Sequence, residues 1–211
     1  MTGVIQSGRF GAVGGTPSYV GSTSGNPASG TTDITVTPHA STATGNLIVL
    51  AIFIDGTGGT IDVPSGWTGS SYIANPDLYL LYRTHDGSAS YAITRSVSTP
   101  TCLYLAASFA SAVWDVVAVS SPTFNGTPVM PSVTPTATAI LFGGWGIDQA
   151  DDASVVPVAF TDIPDTAAGG MATEFGYTAA TYPASATGTF TASANFASAR
   201  QWRTFTVALK G

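Results

Sequence analysis

The chain has 211 residues, of which 44% are hydrophobic and 10% aromatic, enough for one sizeable core. Only 9% are charged, against about a quarter in ordinary globular chains, so the surface must be built mainly from Ser, Thr, Gly, Asn and Ala. Twelve carboxylates against six Lys and Arg leave a net charge of −6, which excludes the basic stripe that nucleic-acid binding requires and disfavours attraction to an anionic membrane.

Residues 1–30 are rich in Gly, Ser, Thr and Pro, with isolated apolar residues such as Val4, Ile5, Phe10, Tyr19 and Val20. This composition predicts an extended N-terminal arm with a possible short first strand. The opening MTGVIQSGRFGAVGG lacks the charged start and apolar stretch of a secretory signal, and no segment reaches the length of a membrane-spanning helix. From Asp33 the pattern changes, because Ile34 and Val36 alternate with Thr35 and Thr37 at the period of a half-buried strand. Leu47 to Ile54 is apolar at every position and is bounded by Gly45 and Asp55-Gly56, which favours a central strand over a helix.

Further strands are predicted at Leu78 to Tyr82, Ser90 to Thr94, Cys102 to Phe109 and Val113 to Val119, separated by turns such as Asp86-Gly87-Ser88. Cys102, the single cysteine, reads as a small buried hydrophobe and rules out an intrachain disulfide. Near the end of the chain, Phe190, Ala192, Ala194 and Phe196 alternate with polar residues, as do Arg203, Phe205, Val207 and Leu209 with their neighbours. Such alternation has no helical reading. Short strands with turn signals between them indicate a sandwich or barrel.

An internal repeat organises these elements. Sliding the chain by 93 positions lays Pro38 on Pro131, Leu47 on Ile140, Ile54-Asp55 on Ile147-Asp148, Val63-Pro64 on Val156-Pro157 and Trp67-Thr68 on Phe160-Thr161, without a gap. The expectation is an all-β, antiparallel β-sandwich, jelly-roll-like, with internal pseudo-duplication. Residues 31–211 would form one domain from two related halves, about 31–119 and 120–211. Two independent domains are less favoured, because a half this poor in long apolar side chains would be marginal alone and no charged or Pro-rich linker lies between Val119 and Pro131.

The stretch GNLIVLAIFIDGTGGTIDVPSGWT, from Gly45 to Thr68, resembles a pattern of small virion proteins of tailed phages and of phage-fibre modules: a Gly-Asn-Leu strand opening, a hydrophobic strand, a glycine-rich loop and a Pro-x-Gly-Trp-Thr turn. The second half is similar, with VPVAFT and a terminal WRTFTVALK, but has Ala159 and Phe160 in place of the turn's Gly and Trp. The resemblance implies a non-catalytic structural protein of the virion. Its most direct form is a capsid decoration or cement protein that contacts the major capsid protein or other virion proteins and self-associates, with a trimer favoured. A head-fibre or tail-fibre module that binds a host-surface glycan is the alternative, and a polysaccharide-degrading tail enzyme a second.

No residue pattern assigns catalysis, a cofactor or a metal. His39 and His85 are the only histidines, and no Gly-x-Ser-x-Gly elbow accompanies them. His85 and Asp86 are adjacent, so on a strand they would face opposite ways, and a solvated turn histidine is the simpler reading. The single Glu, Glu174, lies within an expected strand and has no carboxylate placed beside it for glycosidase chemistry. Asp148, Asp151 and Asp152 form the densest acidic cluster but lack the glycine and terminal Glu of a calcium loop. One Cys and two distant His cannot build a zinc site, and Gly56 to Gly59 are followed by neither a helix pattern nor a Lys that would make a phosphate cradle. Of Trp67, Trp114, Trp145 and Trp202, most belong in packing. The candidate contact surface is therefore Trp67 with Asp148, Asp151 and Asp152.

Overall fold

A computed structural model describes residues 15–27, 31–55, 59–73, 76–96, 101–120, 123–125, 127–148, 157–164, 167–168, 171–184, 190–191 and 200–211. These residues form strands and turns and no helix. The first half supplies β1 (Ser18–Gly25), β2 (Asp33–Val36), β3 (Leu47–Ile54), β4 (Ile61–Asp62), β5 (Thr68–Tyr72), β6 (Asp77–Thr84), β7 (Tyr91–Arg95) and β8 (Cys102–Ala110). The second half begins with β9 (Val113–Val119), β10 (Thr123–Asn125), β11 (Val129–Met130), β12 (Ala139–Ile147) and β13 (Thr161–Ile163). It ends with β14 (Ala167–Ala168), β15 (Met171–Tyr177), β16 (Phe190–Thr191) and β17 (Arg200–Lys210).

Two large antiparallel sheets result. One has the order β1-β8-β3-β6-β5, and the other β10-β17-β12-β15-β13, with β9 also on β17 and β14 on β15. Two small sheets, β2-β7-β4 and β11-β16, complete the set. All eight residues of β3 are buried because both of its faces are covered. Leu47, Val49, Ala51 and Phe53 point into the core between the large sheets, together with Leu80, Leu105, Phe109, Phe142, Phe175, Phe205 and Leu209. Ile48, Leu50, Ile52 and Ile54 point the other way, under Ile34, Val36, Tyr91 and Ile93 of the small sheet. Successive strand residues face opposite sides, so a strand in an inner layer is apolar throughout, whereas β2 and β7 cover the core with one face and alternate. Met130, Leu141, Trp145, Ile147 and Trp202 form the matching outer cluster of the second half.

The pairing of the two large sheets corresponds strand by strand. Leu47 pairs with Phe109 and Ile54 with Cys102, while Ile140 pairs with Leu209 and Ile147 with Trp202. Val49 pairs with Tyr82 and Thr68 with Tyr82, just as Phe142 pairs with Tyr177 and Thr161 with Tyr177. The edge strands β1 and β9 even share an irregularity, one falling between Tyr19 and Gly21 and the other at Asp115. Two ring stacks then cross between the halves: Tyr19 lies on Tyr177 with centroids 4.3 Å apart, and Trp114 on Tyr82 at 4.5 Å. Each joins the edge strand of one half to the corresponding strand of the other.

Several sequence expectations need adjustment. Within residues 1–30 the possible first strand is present as the eight-residue β1, paired with β8 from Ala110 to Tyr104; residues 1–14 lie outside the described residues. Trp67 and Phe160 do take corresponding places, each 7% exposed and each donating its N–H to the carbonyl of the proline three residues back, Pro64 at 3.1 Å and Pro157 at 2.8 Å. The duplication would have them seal opposite ends or edges of the shared core; instead they close the two outer clusters. Gly66 turns with a φ of +82°, where glycine carries no Cβ penalty; Ala159 has no positive φ, which explains how the second turn dispenses with Gly. Of the alternating run from Phe190 to Phe196, only β16 is described.

Candidate functional site

The most concentrated group of polar and aromatic side chains lies where β6, the turn after it and β7 meet. Arg83 near the end of β6 lays its guanidinium over the ring of Tyr91 at 4.1 Å and over that of Trp67 at 5.6 Å, and Trp67 meets Tyr91 edge-on at 5.6 Å. The next turn is built by Asp86-Gly87-Ser88: Gly87 has a φ of +92° and the Ser88 amide donates to Asp86 Oδ1 at 3.0 Å. This turn aims the carboxylate back at Arg83, 2.5 Å from Nη2, and at Tyr91, whose hydroxyl donates to Oδ1 at 2.9 Å. His85 Nδ1 lies 2.7 Å from the same Tyr91 hydroxyl.

His85 is therefore not a solvated turn histidine. The residue is 6% exposed, its ring packs edge-on against Tyr91, and its backbone ties Asn46 and Gly45 to the turn. The adjacency of His85 and Asp86 does not bring them face to face; Tyr91, six residues on, bridges them. The hydroxyl and amide of Ser88, then the Tyr91 hydroxyl and Arg83, hold the Asp86 carboxyl well below the usual carboxylate range. Burial first, and then the neighbouring Asp86, push the Tyr91 hydroxyl up. With every one of these groups engaged by another, the cluster suits a rigid contact surface that presents Asp86, 51% exposed at its side chain, better than it suits proton transfer.

Trp67 belongs to this cluster, but its indole is covered by Arg83 and Tyr91 and offers no open platform for a sugar ring. Asp148 lies in the other half, just after β12, with its amide donating to the Gln201 carbonyl at 3.0 Å; Asp55 does the same with Thr101 after β3. Asp148 and Trp67 thus do not share a site, and Asp151 and Asp152 lie outside the described residues. Among the described residues no group of three His, Cys, Asp or Glu could hold a metal ion. Trp145 and Trp202 are buried and Trp114 is stacked on Tyr82. Glu174 is buried in β15 opposite Trp145.

Three other places gather chemistry. Asp115, at the irregularity of β9, accepts from the Thr136 amide and hydroxyl, both at 2.6 Å, and from Lys210 Nζ at 2.9 Å. Burial pushes its carboxyl up, but Thr136 and Lys210 together outweigh this and leave it below the ordinary range. Arg203 of β17 is buried, donates through Nη1 to the Tyr72 carbonyl and lies in the field of Asp77 of β6. Desolvation lowers the Arg203 pKa and the Asp77 charge opposes it, so this contact ties one half to the other. The Cys102 thiol is buried and pushed up to about 12 by desolvation, which keeps it protonated and unreactive. A shallow depression of about 470 Å³ lined by Gly15, Thr16, Pro17, Ala137, Thr138 and Gly211 carries no charged side chain.

Sequence reading missed the Arg83, His85, Asp86 and Tyr91 group. Its signal was present as Arg-x-His-Asp-Gly followed by an alternating strand that opens with Tyr, but only the turn geometry shows that these side chains converge. No protein-family model, curated protein or solved structure matches this chain.

Proposed function

We propose that this chain is a non-catalytic structural protein of a tailed-phage virion, acting as a capsid decoration or cement protein that binds the major capsid protein. One observation carries the reading: the path of the strands. In the first half β1-β8-β3-β6 faces β2-β7-β4, so the chain crosses repeatedly between its large and small sheets. We read that order as a jelly roll, an architecture that viral capsid and lectin domains use, and the second half follows it with β17-β12-β15 against β11-β16. The virion-like pattern from Gly45 to Thr68 falls on β3, β4 and the Pro64 turn of that first unit. A surface kept soluble by hydroxyls instead of ion pairs suits a protein packed in an assembly.

The test is reconstitution. Capsids from a virus lacking the gene are mixed with the purified protein, sedimented, and heated. Co-sedimentation with a rise in the temperature at which the capsid opens is the expected result. Failure to co-sediment, together with unchanged heads in the deletion virus, would overturn the assignment.

A second reading, a fibre module that binds a host glycan, is favoured by the exposed Asp86 carboxylate that Arg83 and the Ser88 amide hold in place, since a few fixed polar groups orient a bound ligand. Binding on a glycan array that Asp86→Ala removes, with the fold intact by circular dichroism, would select it. Asp86 serves this test better than Trp67, whose truncation would also open the outer cluster.

A further inference from the structure

We infer that β5 is an assembly edge, pairing antiparallel with β5 of a second copy of this chain to join two five-stranded sheets across a two-fold axis. This goes beyond the virion reading and does not depend on it. An edge strand exposes a row of unpaired N–H and C=O groups, and proteins blunt such edges with charges, prolines, bulges or covering loops. The large sheets have four sides; the edge strands β10 and β14 run only three and two residues, and of the other edge strands all but one are blunted. β1 carries an irregularity at Val20, and the segment from Thr37 to His39 lies against it, with Thr23 Oγ1 donating to the Thr37 carbonyl at 2.5 Å and the His39 ring filling the space beside Gly21. β9 carries its irregularity at Asp115, where Thr136 and Lys210 hold a loop over it. β13 holds the exposed Asp162 and is followed at once by Pro164.

β5, which occupies the place in the first sheet that β13 occupies in the second, has none of these devices from Thr68 to Ser71 among the described residues; only the carbonyl of its last residue, Tyr72, is engaged, by Arg203. Its sequence Thr-Gly-Ser-Ser-Tyr contains no charge and no proline, its register with β6 is regular, and Thr68, Gly69, Ser70 and Ser71 are all exposed. Among the described residues β6 is its only strand partner. Exposure of successive residues means that both faces of the strand are open, not just its edge.

The occupant that fits is the strand's own copy. An antiparallel ladder is self-complementary, so a two-fold contact closes without leaving further edges. In a chain of net charge −6, the strand facing itself brings no like charges together, and its hydroxyl side chains can hydrogen-bond across the pair. Centring the axis on Ser70 sets Thr68 opposite Tyr72, and Ile73, 56% exposed, opposite the copy's Trp67. The strand spans only about 17 Å, at the small end of specific interfaces, so the free dimer is weak and is strengthened where other contacts hold two copies side by side. A two-fold contact of this kind is a different closure from the trimer expected from the resemblance.

Sedimentation equilibrium on the full chain tests this, at concentrations up to about 1 mM, the range in which a small contact populates a dimer. The wild type should show a monomer–dimer equilibrium, Ser70→Lys should be monomeric throughout, and the neutral Ser70→Thr should dimerise like the wild type. Oxidised Ser70→Cys should be trapped as a disulfide dimer faster than Thr161→Cys, at an exposed position of the blunted edge, with the buried Cys102 silent in both. A monomeric wild type, a dimer that survives Ser70→Lys, or equal trapping rates at 70 and 161 would each overturn the proposal. Ser70→Lys in the capsid co-sedimentation assay keeps the two readings separable, since loss of the dimer and loss of capsid binding are scored independently.

Discussion

Gly146 of β12 sits where a Cβ would fall 2.4 Å from the ring of Phe53 across the core. In the corresponding register position of the other half stands Phe53 itself: Phe53 pairs with Leu103 in β8, and Gly146 with Arg203 in β17. The size difference is returned nearby, because Phe175 and Phe205 pack on Phe53 from positions whose counterparts in the first half are Leu80 and Leu105. One ring thus crosses the midline and two rings surround it, which fills the core with complementary and not identical side chains. Gly146→Ala should destabilise the protein by about 1 to 3 kcal/mol through overpacking, and Phe53→Leu should recover part of that loss in the double variant. Urea melts of the four proteins check this; additive losses would mean that the two residues do not touch.

At the scale of elements, the irregularity in β9 is held by a single carboxylate. Asp115 bonds to Thr136 and Lys210 and so joins the strand edge, the segment after β11 and the end of β17. Its folded pKa lies below its ordinary value, so the unfolded chain binds this proton more readily than the folded one. The stabilisation is therefore present at neutral pH and is lost as pH falls through the ordinary carboxylate range towards the lowered folded value. Asp115→Asn should lower the melting temperature at pH 7 and reduce its dependence on pH below about 4. Thermal melts of both proteins from neutral to acid pH check the sign; a wild-type curve no steeper than that of the variant would refute the assignment of this link.

For the whole molecule, the decisive feature is the core that both large sheets share. Phe142 meets Phe109 at 5.6 Å and Phe205 at 5.4 Å, so each half supplies a wall that the other needs. The corresponding registers, the shared irregularity and the paired stacks of Tyr19 with Tyr177 and Trp114 with Tyr82 support our reading that the halves descend from one duplicated unit. Trp67→Ala and Phe160→Ala should each cost about 3 to 5 kcal/mol, and both should lower one common transition in calorimetry. Both residues lie outside the shared core, so two transitions, one moved by each variant, would show halves that unfold independently.

Period and composition alone determined the all-β class and where several of its strands lie. Leu47 to Ile54, apolar at every position, reads as a central strand, and Ile34 and Val36, alternating with Thr, read as a half-buried one. These are local consequences of side chains pointing in turn to opposite faces. The spacing of Ile54-Asp55 and Ile147-Asp148 likewise foretold two strands with matching ends. What composition could not reach was everything set by partners distant in the chain. Tyr19 reads as part of a polar arm until Phe109 and Tyr177 are beside it, and His85 reads as solvated until Tyr91 returns to cover it. Trp67 reads as part of a contact surface until Arg83 lies over it. In a chain with so few charges and so many small residues, burial follows from which sheet lands on which, and only the tertiary structure decides that.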